Sequence, residues 1–172
     1  MRLNREFFQQ KTLKVAKDLI GKYLVRKIDG RTIRAKIVET EAYCGSKDLA
    51  CHAAKGKTPR TEVMFGSAGH AYVYLIYGMY HCLNIVTEKE NYPAAVLIRG
   101  VEIEGGKILN GPGKLCRELK IDKGLNKKDL ITSKELWIED GGEKVRGIKK
   151  TRRIGIDYAG EYKDKLWRFV SK

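Results

Sequence analysis

The chain has 172 residues, 42% of them hydrophobic, and carries 35 Lys and Arg against 21 Asp and Glu, a formal charge of +14. That length suits one domain with a sizeable core, and the composition excludes a disordered basic tail or a fibre. No apolar run approaches the roughly 20 residues of a bilayer-spanning helix, and Met1-Arg2-Leu3-Asn4-Arg5-Glu6 lacks the pattern of a secretory signal. With no basic amphipathic stretch bearing interfacial Trp, the charge points to nucleic acid rather than a membrane surface as partner.

Along the chain, Thr12 is the expected N-cap of a helix over Leu13–Ile20, stopped by Gly21. Tyr23–Ile28 alternates as a strand, Asp29-Gly30 is a strong hairpin turn, and Thr32–Thr40 returns. Ile33, Ala35 and Ile37 point one way, and Glu39 and Glu41 continue that parity. Two carboxylates therefore leave the end of a core-facing strand unless a bulge resets the register. Cys44–Ser67 reads as a long loop, costly in so small a domain unless functional. Ala71–Tyr77 is an aromatic strand, Tyr77-Gly78-Met79-Tyr80 a turn, and Cys82–Val86 the returning strand. A polar connection, Glu88–Pro93, leads to the strand Ala94–Glu102, and the irregular stretch Gly105–Gly113 to a short helix over Lys114–Leu119. Leu136–Glu139 and Lys144–Gly147 flank Asp140-Gly141-Gly142 as another hairpin, and the tail to Lys172 is basic. The strands do not alternate with helices as βαβ units would.

Several fragments resemble motifs without completing them. Cys44, Cys51 and Cys82 with His52 and His81 match no zinc module, and buried free thiols are the plainer reading. Gly56-Lys57-Thr58 ends like a phosphate-binding loop, but Cys51 stands where the first glycine is required and Pro59 stops the helix that should follow. Gly111-Pro112-Gly113-Lys114 is a structural turn or a close approach to phosphate, not a dinucleotide fingerprint.

The informative pieces are Val38-Glu-Thr-Glu-Ala-Tyr43, Thr58-Pro-Arg60, Met64-Phe65, Tyr72-Val-Tyr74, Ile76-Tyr-Gly-Met-Tyr80, Asn84, Val96-Leu-Ile-Arg99, Gly111-Pro112, Lys114-Leu-Cys116 and Arg153-Ile-Gly155. In this order, spread over nearly the whole chain, they closely resemble the alkyladenine (3-methyladenine) DNA glycosylases of the mammalian type. The resemblance implies a single mixed α/β domain over residues 1–172, with a curved, mainly antiparallel sheet, surrounding helices and a protruding DNA-intercalating hairpin. It implies a monofunctional enzyme that flips a damaged purine out of duplex DNA and hydrolyses its N-glycosidic bond, leaving an abasic site. Alkylated purines such as 3-methyladenine and 7-methylguanine are the expected substrates, with hypoxanthine a more demanding one.

By the same resemblance, Glu41 is the general base for the attacking water, with Arg99 and the backbone carbonyl of Ile154 as its other holders. Tyr43, His52 and Tyr74 form the walls of the base pocket, and Asn84 sits against its floor. Tyr77 is the intercalating residue, and its place at the turn of an aromatic hairpin agrees. Only the resemblance separates Glu41 from Glu39. No metal, cofactor or obligate protein partner is implied, and the expected location is cytoplasmic or nucleoid-associated in a prokaryote, nuclear in a eukaryote. From the residues alone two alternatives stay open. One is a basic nucleic-acid-binding module without catalysis; the other is a lyase using one of the many lysines as nucleophile.

Overall fold

The computed structural model describes residues 1–172. Asn4 opens helix α1 (Arg5–Phe8), its side-chain oxygen accepting from the Phe7 amide at 3.1 Å. Helix α2 covers Thr12–Asp18, two residues shorter at its end than the apolar spacing predicts. Its N-cap is Lys11, which makes no capping contact, and not Thr12. Glu88 takes the Thr12 amide and hydroxyl at 2.9 and 2.6 Å, so the orphan donor of the first turn is satisfied by a carboxylate 76 residues away.

Strands β1 (Tyr23–Ile28) and β2 (Arg31–Cys44) meet at Asp29-Gly30, where both φ angles are positive, +49° and +73°, as a two-residue type I′ turn requires. The remaining strands are β3 (Ala71–Ile76), β4 (Tyr80–Val86), β5 (Ala94–Glu102), β6 (Ile108–Asn110), β7 (Leu136–Glu139), β8 (Ile148–Thr151) and β9 (Arg168–Ser171), with helix α3 at Pro112–Glu118. They form one open antiparallel sheet in the order β3-β4-β5-β2-β1-β7, with β6 on β5, β9 on β2 and β8 on β9. The hairpin expected around Asp140-Gly141-Gly142 does not form. β7 pairs with β1, and residues 144–147 are not a strand. Of Lys144–Gly147 only Val145 is apolar, and it packs on the main core, so a return strand there would bury almost nothing.

That core of 27 buried residues lies where α2 and α3 cover one face of the sheet. Val15, Ala16 and Leu19 from the α2 region meet Leu115 and Leu119 from the α3 region over Ala35, Ile37, Val96, Ile98 and Val101. The β2–β5 ladder then breaks twice. Ile37 pairs with Val101, Glu39 with Gly100 and Thr40 with Ile98, leaving one extra residue on each strand, Val38 and Arg99. The first bulge resets the parity of β2. Thr40 and Ala42 turn to the helix-covered face, where the Thr40 hydroxyl donates to the Ala16 carbonyl at 2.7 Å. Glu39, Glu41 and Tyr43 therefore leave that face, which corrects the uninterrupted parity expected for both carboxylates. Arg99, the extra residue on β5, meets them there.

The segment between β2 and β3 is irregular apart from two 3₁₀ turns, His52–Lys55 and Glu62–Phe65. It packs Cys51, Ala53, Val63 and Met64 against Tyr72, Val86 and Ala95, a second, smaller core behind one wall of a cleft.

Candidate active site

A cleft of about 620 Å³ opens on the sheet face away from α2 and α3. The bulged β2 supplies Tyr43, β3 supplies Tyr72 and Tyr74, β4 supplies Cys82 and Asn84, and β5 supplies Leu97 and Arg99. His52 and Arg60 enter from the irregular segment, and Ile154 and Tyr158 from the connection between β8 and β9. Of the eight residues singled out in the sequence, seven line this cleft: Tyr43, His52, Tyr74, Tyr77, Asn84, Arg99 and Ile154. Glu41, fully buried, sits directly behind it.

Three of the cleft-lining groups contact Glu41. Its Oε1 accepts from the Ile154 amide at 2.7 Å, its Oε2 from the Tyr43 hydroxyl at 2.8 Å, and Arg99 Nε lies 3.7 Å from Oε1. The contact from Ile154 is thus made by its N–H. Glu39 lives differently. Its Oε1 accepts from Arg99 Nε at 3.1 Å and from Arg168 Nε at 2.6 Å, so it serves as counter-ion to two guanidinium groups. Glu41 is left with neutral donors and one more distant cation. Burial pushes its carboxyl above the usual range, an effect that Arg99, the Ile154 amide, the Tyr43 hydroxyl and Arg153 offset in part. Burial and the adjacent Glu41 together raise the Tyr43 hydroxyl well above its ordinary value, so it stays a donor.

The aromatic wall is a connected unit. His52 meets Tyr74 edge-on at 4.5 Å between ring centres, and its Nδ1 lies 2.9 Å from the Tyr72 hydroxyl. Tyr74 tilts against Tyr72 at 5.2 Å, and the Arg60 guanidinium lies 5.2 Å from the Tyr74 ring centre. Burial, reinforced by Arg60 and Lys55, lowers the His52 pKa to about 4, so its imidazole is neutral above that pH. Asn84 is buried, its Nδ2 donating to the Tyr72 carbonyl at 3.4 Å. At the mouth, the three-residue loop Tyr77–Met79 joins β3 to β4, with Tyr77 and Gly78 at the centre of its turn, at φ of +51° and +65°, and the Met79 amide donating to the Ile76 carbonyl at 3.1 Å. The Tyr77 ring is 88% exposed. Just past the turn Tyr80 lies over Gly113 so closely that a Cβ there would stand 2.9 Å from the ring.

Sequence reasoning missed Tyr72 as the partner of His52, Arg60 as the cation on Tyr74, and the buried pair Asp48–Arg153 behind Tyr43. Arg153 was visible only as the neighbour of Ile154; nothing local marks it as buried. No three His, Cys, Asp or Glu side chains converge as a metal site. No helix is long and apolar enough to cross a membrane.

A buried carboxylate held by neutral donors, a guanidinium beside it and a ring-walled cleft in front suit the activation of a water against a flat, electron-poor substrate. A family model described as methylpurine-DNA glycosylase matches residues 6–172. A protein of Rickettsia felis, provisionally named 3-methyladenine DNA glycosylase, is 53% identical over 98% of this chain and 92% of its own length. One of Methanocella arvoryzae with the same name is 52% identical over 99% of this chain and 92% of its own. Another of Natranaerobius thermophilus is 48% identical over 98% and 94%.

Proposed function

Because the chain belongs to the methylpurine-DNA glycosylase family, we propose that it excises alkylated purines, 3-methyladenine and 7-methylguanine first among them, from duplex DNA by base flipping and water attack at C1′. The observation that carries this reading is Glu41, buried behind a ring-walled cleft and held there by the Ile154 amide and the Tyr43 hydroxyl. A carboxylate has about four acceptor positions, and those two donors occupy one on each oxygen. A water entering between Arg99 and Ile154 takes a free one. As the glycosidic bond breaks, its electron pair leaves with the base. The water oxygen bonds to C1′, and the water's proton passes to Glu41, whose negative charge also stabilises the developing oxocarbenium ion. The product is an abasic sugar.

The walls fit such a leaving group. The faces of Tyr43 and Tyr74 attract a purine that alkylation has made cationic, and stacking contributes about 1–3 kcal/mol per base. A cationic base departs neutral and needs no acid. Hypoxanthine needs a proton on the base, and His52, neutral above about pH 4, is a poor source of one. We therefore expect methylated purines to leave faster than hypoxanthine. The +14 formal charge supplies the attraction to phosphate, and the reaction takes place wherever chromosomal DNA lies.

The test is single-turnover base release from methylated duplex DNA and from a hypoxanthine-containing duplex, with chromatography of the freed base. Release of methylated purines ahead of hypoxanthine is the expected result; release of none of them, with DNA binding intact, sinks the reading. The pH dependence adds a second check. Between pH 5 and 8 the imidazole does not titrate, so His52→Asn should leave the acid limb of the rate profile where it stands in the wild type. A limb that moves with this substitution would show that His52 takes part in the proton chemistry.

A further inference from the structure

A heavily engaged buried charge lies behind the cleft rather than on it. Arg153 donates to Asp48 twice, Nη1 to Oδ2 at 2.6 Å and Nη2 to Oδ1 at 2.9 Å, with both side chains fully buried. Its Nη1 also donates to the Ala42 carbonyl at 2.9 Å and its Nη2 to the Tyr162 carbonyl at 3.3 Å. The guanidinium lies between two rings, 4.9 Å from the centre of Tyr43 and 5.0 Å from that of Trp167. Asp48 is fixed in turn by the amides of Cys44 at 3.0 Å and Ala50 at 3.1 Å. Only Arg153 Nε has no partner.

A buried pair of this kind is weak evidence for stability, because desolvating both ions offsets much of their attraction. Its position suggests another use. Arg153 is bonded in sequence to Ile154, whose amide holds Glu41 Oε1, and its face covers Tyr43, whose hydroxyl holds Oε2. One guanidinium thus ties down both neutral donors of the base, and through the Ala42 carbonyl it also grips the strand residue between Glu41 and Tyr43.

Resting on the glycosylase reading above, we infer that Arg153, held by Asp48, is a positioning residue that keeps Glu41 oriented and ionisable behind the cleft. The charged and titratable groups facing Glu41 are Arg99 from β5, Cys82 from β4, Tyr43 from β2 and Arg153 itself. Glu39 acts on it only through Arg99 and is shared with Arg168 of β9. Arg153 adds a cation to this set, and Asp48 offsets that cation from its far side. Removing Asp48 alone leaves the cation unbalanced and favours ionised Glu41; removing both charges does the reverse.

The test is the pH profile of single-turnover release of methylated purines by wild type, Asp48→Asn, the double variant Asp48→Asn/Arg153→Gln, and Arg153→Lys, each checked by thermal melting. Asp48→Asn, which removes one charge, should move the acid limb down, and the double variant, which removes two opposite charges with the cation the nearer to Glu41, should move it up by a smaller amount. A purely structural role lowers the plateau without moving the limb in opposite directions, so limbs that stay put or move together overturn the inference. If Asp48→Asn does not fold, the double variant, which leaves no unpaired ion, decides alone by the same upward shift. If neither folds, Arg153→Lys decides. It keeps the charge but loses the planar fork, so its plateau rate should fall at least tenfold while its melting temperature and DNA affinity stay near the parent's; a rate within threefold of wild type, or a loss of rate matched by a fall in melting temperature, overturns the inference. Wild type that releases no base at all is a different result, and it tells against the glycosylase reading instead.

Discussion

Glu41→Gln should lower base release by at least about 100-fold, within the range for loss of a general base, yet yield a protein that melts higher than the parent at neutral pH. The two effects have one cause. Burial holds the Glu41 carboxyl above its ordinary value of 4.5, so ionising it in the folded state costs stability. A group whose folded pKa is raised stabilises the fold fully below its unfolded pKa and loses that contribution as pH rises through the folded one. Gln never ionises. Its carbonyl oxygen can accept from the Ile154 amide, and its NH₂ can donate to the Tyr43 hydroxyl, so both observed contacts survive, the one to Tyr43 with donor and acceptor exchanged. Arg99 loses a neighbour at 3.7 Å but keeps Glu39 at 3.1 Å. A gain of about 1 kcal/mol corresponds to roughly 2–4 °C in a chain of this size. The difference in melting temperature should shrink as pH falls toward 4.5, where an increasing share of the parent's Glu41 is protonated too. Parallel melts at pH 4.5 and 7.5 with single-turnover kinetics decide it. A variant within threefold of wild-type rate removes Glu41 as the base, and a variant less stable than the parent at pH 7.5 removes the explanation of its cost.

What the sequence disclosed follows how local each signal is. β1, β3, β4 and β5 emerge from alternation and turn residues because a strand's pattern and its hairpin turn lie within a few residues of each other. Asp29-Gly30 and the Tyr77-Gly78 tip are read directly, since only certain residues accept positive φ. The start of α2 is not readable, because the group that satisfies its first amide is Glu88, brought from beyond the end of β4. The hairpin at Asp140-Gly141-Gly142 is misread for a related reason: a good turn does not make a strand when Lys144–Gly147 has no apolar face to bury. The division of labour between Glu39 and Glu41 was equally hidden. Both carboxylates sit on one strand with the same parity. What separates them is Arg99 on a bulge of β5 and Arg168 on β9, neither of which alternation can place. Arg153 was the hardest to see. A buried arginine in a basic stretch looks like any other surface charge until Asp48, Tyr43 and Trp167 are seen closing around it.

Tyr77→Asn should separate stability from function in the opposite part of the site. A tyrosine at φ +51° occupies a region that strains L side chains, at about 1–2 kcal/mol, and its ring, 88% exposed, recovers almost nothing by packing. Nothing in the folding of the free protein accounts for such a residue at the tip of a type I′ turn, where Asn-Gly is the most favourable pair. The variant is therefore expected to gain about 1 kcal/mol, or roughly 2–4 °C in melting temperature. The proposed use of the ring lies in the DNA. Extruding a nucleotide costs a few kcal/mol of unstacking, and a rigid side chain that fills the vacated stack offsets part of that cost. Without it, single-turnover release from duplex DNA should fall by about 10- to 100-fold, while release from a single-stranded substrate, which has no stack to hold open, should change little. A fluorescent base analogue placed opposite the lesion would report the same loss of extrusion independently of chemistry. Equal losses on duplex and single strand would place Tyr77 in the base pocket instead of the helix gap. An unchanged duplex rate would leave its strained conformation without the wedge role that best explains it.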